Sequence, residues 1–198
     1  MSKVVAIMSM SLDGYVADLA DGVEEVFDWY FGSGDVEIHT GGSDPMTFRV
    51  SEPSAEHLRG LASDVGAMLT GRRTFDAAQG WGGNHGWGPA FVVTHGIPDG
   101  WPRPNSTVHF VTDGIESALE QAVAAADGKD ITIGGGASTV QQYLRAGLVD
   151  ELNLHVAPVL LGGGERLFEN LDGGPTGLDL VELVASPAAA HFRYARAR

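Results

Sequence analysis

An α/β domain with a largely parallel sheet is the fold class this sequence predicts, and three observations carry the prediction. Short apolar or β-branched runs alternate with helical patterns along most of the chain. The first run, residues 3–10, is almost wholly apolar, as a strand buried on both faces must be. Near the C-terminus, two alternating segments at 178–185 and 190–195 follow one another without a helix, so the sheet should finish antiparallel.

Composition sets the limits. The chain has 198 residues, 43% hydrophobic and 19% charged, which suits one folded domain spanning 1–198 rather than two or a disordered chain. It has no cysteine, which excludes disulfides, thiolate metal sites, iron–sulfur clusters and a thiol nucleophile. No apolar run approaches the roughly 20 residues of a membrane helix. The first residues lack the pattern of a signal peptide, so the expectation is a soluble cytoplasmic protein. The net charge of −14 repels a phosphate backbone, so nucleic acid and anionic membranes are not expected partners. A small phosphorylated ligand would need local cations or backbone N–H groups.

The elements follow in order. After the first strand, 11–20 reads as a loop and 23–31 as one or two helical turns rich in aromatic residues. Residues 32–50 are glycine-rich, with strand-like pieces at 36–39 and 47–50. Ser54, preceded by Pro53, is expected to cap a helix running to Ser63. A second buried strand covers 66–70, and Thr74 is the expected start of a short helix. Residues 79–89 form a tryptophan- and glycine-rich loop. Strands follow at 90–94 and 107–112. Asp113 and Glu116 have capping-box spacing at the head of a helix to Ala126, which Asp127-Gly128 stops. A strand at 130–133 runs into Gly134-Gly135-Gly136, and Ser138 with Gln141 repeats the capping-box spacing before a helix that ends at Gly147. Residues 151–161 read as a long strand whose Pro158 predicts an edge position or a bulge.

The triple glycine between a strand and a helix is the strongest chemical signal. Glycine lets a ligand approach the backbone, and the helix behind it offers free N–H groups and a positive dipole end. A phosphate or pyrophosphate fits such a place, whereas a mere turn needs fewer glycines. The segment is neither the six-position dinucleotide fingerprint nor a P-loop. Gly71-Arg72-Arg73-Thr74 ends another strand, where ligands bind in open α/β sheets. Taken alone, its arginines are better read as partners of surface carboxylates. Asp13-Gly14 after the first strand signals a turn, in which an aspartate ordinarily bonds nearby backbone. The seven histidines show no metalloprotease spacing and no nucleophile elbow is present, so no metal ligand set and no serine hydrolase is assigned. Trp81, Trp87 and Trp101 either roof the core or line a pocket for a flat ligand.

Five segments in this order carry a resemblance. They are Ser11-Leu12-Asp13-Gly14-Tyr15-Val16-Ala17, Leu69-Thr70-Gly71-Arg72-Arg73-Thr74-Phe75, Ile133-Gly134-Gly135-Gly136, Leu148-Val149-Asp150-Glu151-Leu152, and Ala157-Pro158-Val159-Leu160-Leu161-Gly162-Gly163-Gly164. Together they resemble the dihydrofolate reductase-like superfamily, and within it the C-terminal reductase domain of the riboflavin biosynthesis protein RibD. The resemblance implies a mixed, mostly parallel sheet flanked by helices, with an antiparallel C-terminal strand. It implies an NADPH-dependent reductase passing a hydride to a small heterocyclic substrate, pterin- or pyrimidine-like, and a homodimer. It assigns Gly71, Arg72, Arg73 and Thr74 to the cofactor phosphates. Gly134, Gly135, Gly136, Ala137 and Ser138 fall to the pyrophosphate, and Thr94 and His95 to the adenosine ribose with its 2′-phosphate. Asp13 is implied near nicotinamide and substrate, managing a proton or holding a substrate hydroxyl, with Asp28, Trp29 and Phe31 on the substrate side. The resemblance departs at Gly134, where reductases of the riboflavin precursor tend to carry glutamate. Two alternatives stay open: a nucleotide-binding module of the same fold without turnover, and a flavin-using variant.

Overall fold

The computed structural model describes residues 2–172 and 176–197. One strand organises everything else. β1 (Val4–Ser11) is buried on both faces, pairing in parallel with β8 (Asp130–Ile133) on one side and β9 (Glu151–Ala157) on the other. The sheet extends from β8 through β5 (Val65–Gly71) and β6 (Ala90–Val93) to β7 (Val108–Val111), all parallel. Beyond β9 it turns antiparallel through β12 (Ala190–Arg196) to β11 (Leu178–Ala185), as the alternating C-terminal segments predict.

Two layers cover this sheet because its strands carry apolar side chains on both faces. On one face lie α5 (Ile115–Ala125) and α6 (Ala137–Arg145), packed on Val4, Ala6, Leu69, Ile131, Ile133 and Leu152. Tyr143 of α6 is fully buried, and its hydroxyl donates to the Ile115 carbonyl at 2.8 Å, so no polar atom is stranded there. On the other face lie α3 (Glu52–Asp64) and the short α1 (Glu24–Phe27) and α2 (Trp29–Gly32). A hairpin of β3 (Val36–His39) and β4 (Thr47–Val50) joins them around Trp29, Tyr30, Phe48 and Val50. The two strand-like pieces in the glycine-rich 32–50 segment are therefore this hairpin.

Trp81 and Trp101 pack against Phe75, Ala90, Val92 and Val108, so these tryptophans roof a third part of the core. Gly80, Trp81 and Gly82 all have left-handed backbone, φ 65°, 51° and 62°, which explains the glycines on either side of Trp81.

Several local expectations are corrected. Ser54 does not cap α3: the helix starts at Glu52 after Ser51, and Ser54 is buried inside its first turn, bonded to His191. The short α4 (Arg72–Ala77) starts at Arg72 behind Gly71, not at Thr74. Neither capping box forms. α5 follows Gly114, and Asp113 accepts from the Ser117 hydroxyl at 3.1 Å instead. α6 follows Gly136, and the Gln141 amide is drawn across to the carbonyls of Arg166 and Leu167. β9 ends at Ala157 and lies between β1 and β12, so Pro158 stops an interior strand rather than marking an edge. The 11–20 loop contains a short strand, β2 (Tyr15–Ala17), paired with β10 (Glu165–Arg166).

Candidate functional site

All six parallel strands end on one edge of the sheet, and the candidate residues gather along it in two groups. In open parallel sheets that edge is where backbone N–H groups and loop side chains converge on a ligand.

The first group lies beyond β8, β5 and β6. The N–H of Gly134 donates to Leu69 O at 3.0 Å, and the N–H of Gly71 donates to Gly135 O at 3.0 Å. The Thr70 hydroxyl, fully buried, donates to the same Gly135 carbonyl at 3.1 Å. The glycine loop is thus laced to the end of β5. Gly135 has φ +113°, a conformation that side-chain-bearing residues rarely adopt. A Cβ on it would lie 3.1 Å from the Thr74 hydroxyl, and one on Gly71 would run into the Thr139 hydroxyl. Glycine at 135 is therefore set first by its backbone conformation, and at 71 by the Thr139 side chain packed against it. The Gly135–Gly136 peptide is cis. α6 starts at Gly136 with no side-chain cap. No side chain therefore satisfies the first N–H groups of α6, the condition under which a helix start favours an anion.

Arg72 and Arg73 diverge. The Arg72 guanidinium bonds both Asp76 oxygens through Nε, at 2.9 and 2.8 Å, and the Gly96 carbonyl at 3.1 Å through Nη1. It therefore ties α4 to the turn after β6, where the Thr94 hydroxyl also bonds Gly96 O at 2.9 Å and His95 is exposed. Arg73 points away and pairs with Asp21 at 2.7 Å and Glu165 at 3.3 Å. The structure brings Gly71, Arg72, Thr74, Thr94 and His95 to the glycine-loop end of the sheet and leaves Arg73 in a surface ion pair. Ala137 is buried in the first turn of α6 and Ser138 is exposed beside it.

The second group lies beyond β1 and β9. Asp13 accepts from the Ser11 hydroxyl at 2.6 Å, the Gly162 N–H at 2.8 Å and the Leu161 N–H at 3.1 Å. It clamps the loop after β9 onto the turn after β1. The Ser11 hydrogen bond, outweighing partial burial and helped by the two N–H groups, holds its carboxyl below the ordinary value. An ionised carboxylate with both oxygens engaged is poorly suited to donate a proton. Its observed geometry is that of a positioning residue.

Next to this clamp is an open cleft of about 510 Å³, whose lining includes Glu24, Glu25, Asp28, Trp29, Pro158 and Pro187. Asp28 is exposed there. Trp29 is 2% exposed; its indole N–H donates to the Ser9 hydroxyl at 3.2 Å, so it forms the floor of the cleft. Phe31 is exposed and packs edge-on against Phe48 of the hairpin, so it belongs to that surface and not to the cleft lining.

Sequence reasoning missed one constellation. His57 of α3, His155 of β9 and His191 of β12 meet behind Trp29. They are 98 and 36 residues apart, by subtraction of their numbers, so no local spacing reveals them. The available signal is register: His155 and His191 sit at inward positions of two strands that pair directly.

Comparison with known proteins agrees with this architecture. The model of the RibD C-terminal domain family matches residues 2–188. Two Bacillus subtilis proteins, both described as uncharacterized, are similar. YyaP is 29% identical over 124 residues, 54% of this chain and 61% of its own, so the chain spans less than two thirds of that relative. YwjB is 27% identical over 202 residues, covering 98% of both. Among solved structures, a Shewanella sp. PV-4 protein named for riboflavin biosynthesis superposes with TM-score 0.71 at 23% identity, with full coverage of both chains. Acinetobacter baumannii RibD gives 0.63 at 16% identity, covering all of this chain and 58% of that one. Dihydrofolate reductase from Enterococcus faecalis, complexed with NADP(H), gives 0.59 at 14% identity, covering 99% and 97%. Those structural likenesses establish a dihydrofolate reductase-like fold, and on the match over residues 2–188 the chain belongs to the RibD C-terminal domain family.

Proposed function

We propose that this protein is an NADPH-dependent reductase of a small, unphosphorylated heterocycle. The observation that carries the reading is the glycine loop, laced to β5 and opening onto an uncapped α6. Its fit to a pyrophosphate rests on two features. The loop residues carry no side chains of their own, and the loop leads into a nine-residue helix whose first N–H groups have no side-chain cap. In this reading Gly134, Gly135, Gly136, Ala137 and Ser138 hold the pyrophosphate. Gly71 and Thr74 line its other side, and Arg72, Thr94 and His95 lie toward the 2′-phosphate.

NADPH would supply a hydride from its nicotinamide C4. The chain's own contribution is positioning and exclusion of water. Asp13 fixes the loop after β9 against the turn after β1, and Trp29 floors the cleft in which the substrate lies. The substrate class follows from the lining charge. Glu24, Glu25 and Asp28 face the cleft, and no Lys or Arg does among the described residues. Such a cleft repels a phosphoribosyl group and favours a neutral or amino-bearing ring. The absence of a glutamate at Gly134 points the same way, away from the riboflavin precursor.

The test is a thermal-shift titration with NADPH, NADH and FMN in parallel, followed by pterins and amino-pyrimidines with and without a phosphoribosyl group. A saturable rise in melting temperature with NADPH, then NADPH oxidation with an unphosphorylated ring, is the expected outcome. A rise with FMN alone replaces the cofactor. NADPH binding with no turnover on any ring makes the protein a binding module, and no response to any nucleotide overturns the reading.

A further inference from the structure

The three histidines behind Trp29 are outside the cofactor edge, and their chemistry is unusual for a core. His155 and His191 are fully buried neighbours on paired strands, with their Nδ1 atoms 2.9 Å apart. The His57 ring stacks on His191 at 4.8 Å and meets His155 edge-on at 5.4 Å. One ring nitrogen from each histidine lies within 4.8 Å of the other two.

The protons cannot be arranged to satisfy this cluster. Two facing Nδ1 atoms share a single hydrogen. Ser51 donates to Ser54 at 3.2 Å, and Ser54 bonds His191 Nε2 at 2.8 Å, which fixes the other side of His191. Either tautomer of the pair leaves His155 Nε2 unpaired, as an N–H without an acceptor or a lone pair without a donor. His57 Nε2 is likewise shielded from solvent and unpartnered. Each is a desolvated polar atom that nothing in the fold meets. A neutral imidazole keeps one ring lone pair, which is what a metal ion takes.

We infer that His57, His155 and His191 form a binding site for one transition-metal ion of the zinc class. Three neutral imidazoles with no carboxylate in the set suit Zn²⁺, Co²⁺, Ni²⁺ or Cu²⁺ and do not suit Ca²⁺ or Mg²⁺, which require oxygen. Metal–nitrogen bonds of about 2.0–2.1 Å place tetrahedral ligands about 3.3 Å apart. The Nδ1 atoms of His155 and His191, 2.9 Å apart, are already that close and would be their ligating atoms. The His57 ring must turn inward to complete the set, and the orphan that the ion could satisfy is on His57 rather than His155 Nε2. Ser54 is placed to accept from the outer nitrogen of His191, the partner that orients a metal-bound imidazole. Trp29 lies 4.9 Å from both the His155 and His191 rings and closes the site from the cleft side. The bound ion would brace the floor of the substrate cleft from behind.

The experiment uses the full chain without a histidine tag, stripped with a chelator and titrated with Co²⁺ and Zn²⁺. Expected are one equivalent of cobalt with the intense visible absorption of a four- or five-coordinate ion, and a Zn²⁺-dependent rise in melting temperature. His57→Gln, which removes a ring with no hydrogen bond at Nε2, should weaken binding by ~100-fold or more, given that even partners of ligands matter 10–100-fold. His155→Gln, checked for folding by circular dichroism, should do the same. His109→Gln, at an exposed histidine of the edge strand β7, should leave metal binding unchanged. Absence of both the cobalt spectrum and the thermal shift overturns the inference, as does binding that survives His57→Gln. Neither readout depends on reductase activity, so this result and the cofactor reading stand or fall separately.

Discussion

The two ends of the sheet's carboxyl edge are built from different materials. At β8 and β5 the surface is backbone: three glycines, a carbonyl shared by Thr70 and Gly71, and a helix start with no side-chain cap. At β1 and β9 it is side chain: the Asp13 carboxylate, the Trp29 ring and three acidic groups around the cleft. A backbone site demands particular residues at adjacent positions and so writes a local pattern. A side-chain site recruits residues from distant segments, each ordinary where it stands.

Charge at the backbone end should break the site outright. Gly135→Asp places a carboxylate where an anion is proposed to lie, on a residue with φ +113° and 3.1 Å from the Thr74 hydroxyl. NADPH affinity should fall by ~100-fold or more, equivalent to about 3 kcal/mol. Stability should fall by about 1–3 kcal/mol from the forced left-handed backbone. Gly135→Ala carries the same strain without the charge and separates the two effects. Calorimetric titration of both variants checks this, and equal losses of affinity would assign the effect to strain alone.

The same contrast explains what the sequence revealed. β1, the strand before the triple glycine and the antiparallel C-terminal pair were legible because they rest on local periodicity. Both capping boxes were false: the Gln141 amide is drawn to a carbonyl 25 positions away, and Asp113 accepts from the Ser117 hydroxyl in the first turn of α5. Asp13 was visible as a turn residue bonded locally, as it is to Ser11, but its other two partners, Leu161 and Gly162, are about 150 positions away. The histidine cluster was invisible for the same reason, since only strand register brings β9 and β12 side chains together.

Weakening the side-chain end tests its role more gently. Asp13→Asn keeps one carbonyl acceptor but cannot serve Leu161, Gly162 and Ser11 together as a carboxylate does. The 161–164 loop should exchange amide hydrogens faster and become easier to cleave, with NADPH affinity unchanged and turnover reduced. Because the Asp13 carboxyl is lowered from 3.8, its clamp is fully present above that value and is lost as pH falls through the lower folded value. A wild-type loop that stays protected at pH 5 and opens only in stronger acid is expected. Unchanged exchange in Asp13→Asn would remove the clamp from the account.

A third effect sharpens the comparison inside the glycine-rich 79–89 segment, where one side chain acts as the anchor. The Trp87 N–H donates to His85 Nδ1 at 3.1 Å, which requires that nitrogen to be unprotonated. Burial lowers the His85 pKa from 6.5 to about 4. Its contribution is therefore complete above about 6.5 and is lost as pH falls toward 4. Trp81 and Trp87 both meet the His85 ring edge-on, so tryptophan fluorescence should report the change. The difference between wild type and His85→Gln isolates it from other titrations, and identical profiles would exclude His85 as the cause.

The smallest effect discriminates best, because Arg72 and Arg73 are adjacent in sequence and belong to different parts of the edge. Arg73 is 64% exposed and pairs with two carboxylates outside the glycine-loop group. Its replacement by alanine should cost at most about 0.5 kcal/mol after solvent screening and leave NADPH and NADH affinities unchanged. Arg72 faces the turn that carries Thr94 and Gly96. Arg72→Ala should weaken NADPH by about 10-fold, the worth of one charge-assisted hydrogen bond, and leave NADH nearly unaffected. Parallel titrations of both variants with both nucleotides decide the matter. Equal losses of NADPH and NADH in Arg72→Ala would move that arginine to the shared pyrophosphate. A loss confined to Arg73→Ala would mean that its ion pairs with Asp21 and Glu165 open on binding, drawing the β2–β10 loops into the cofactor site.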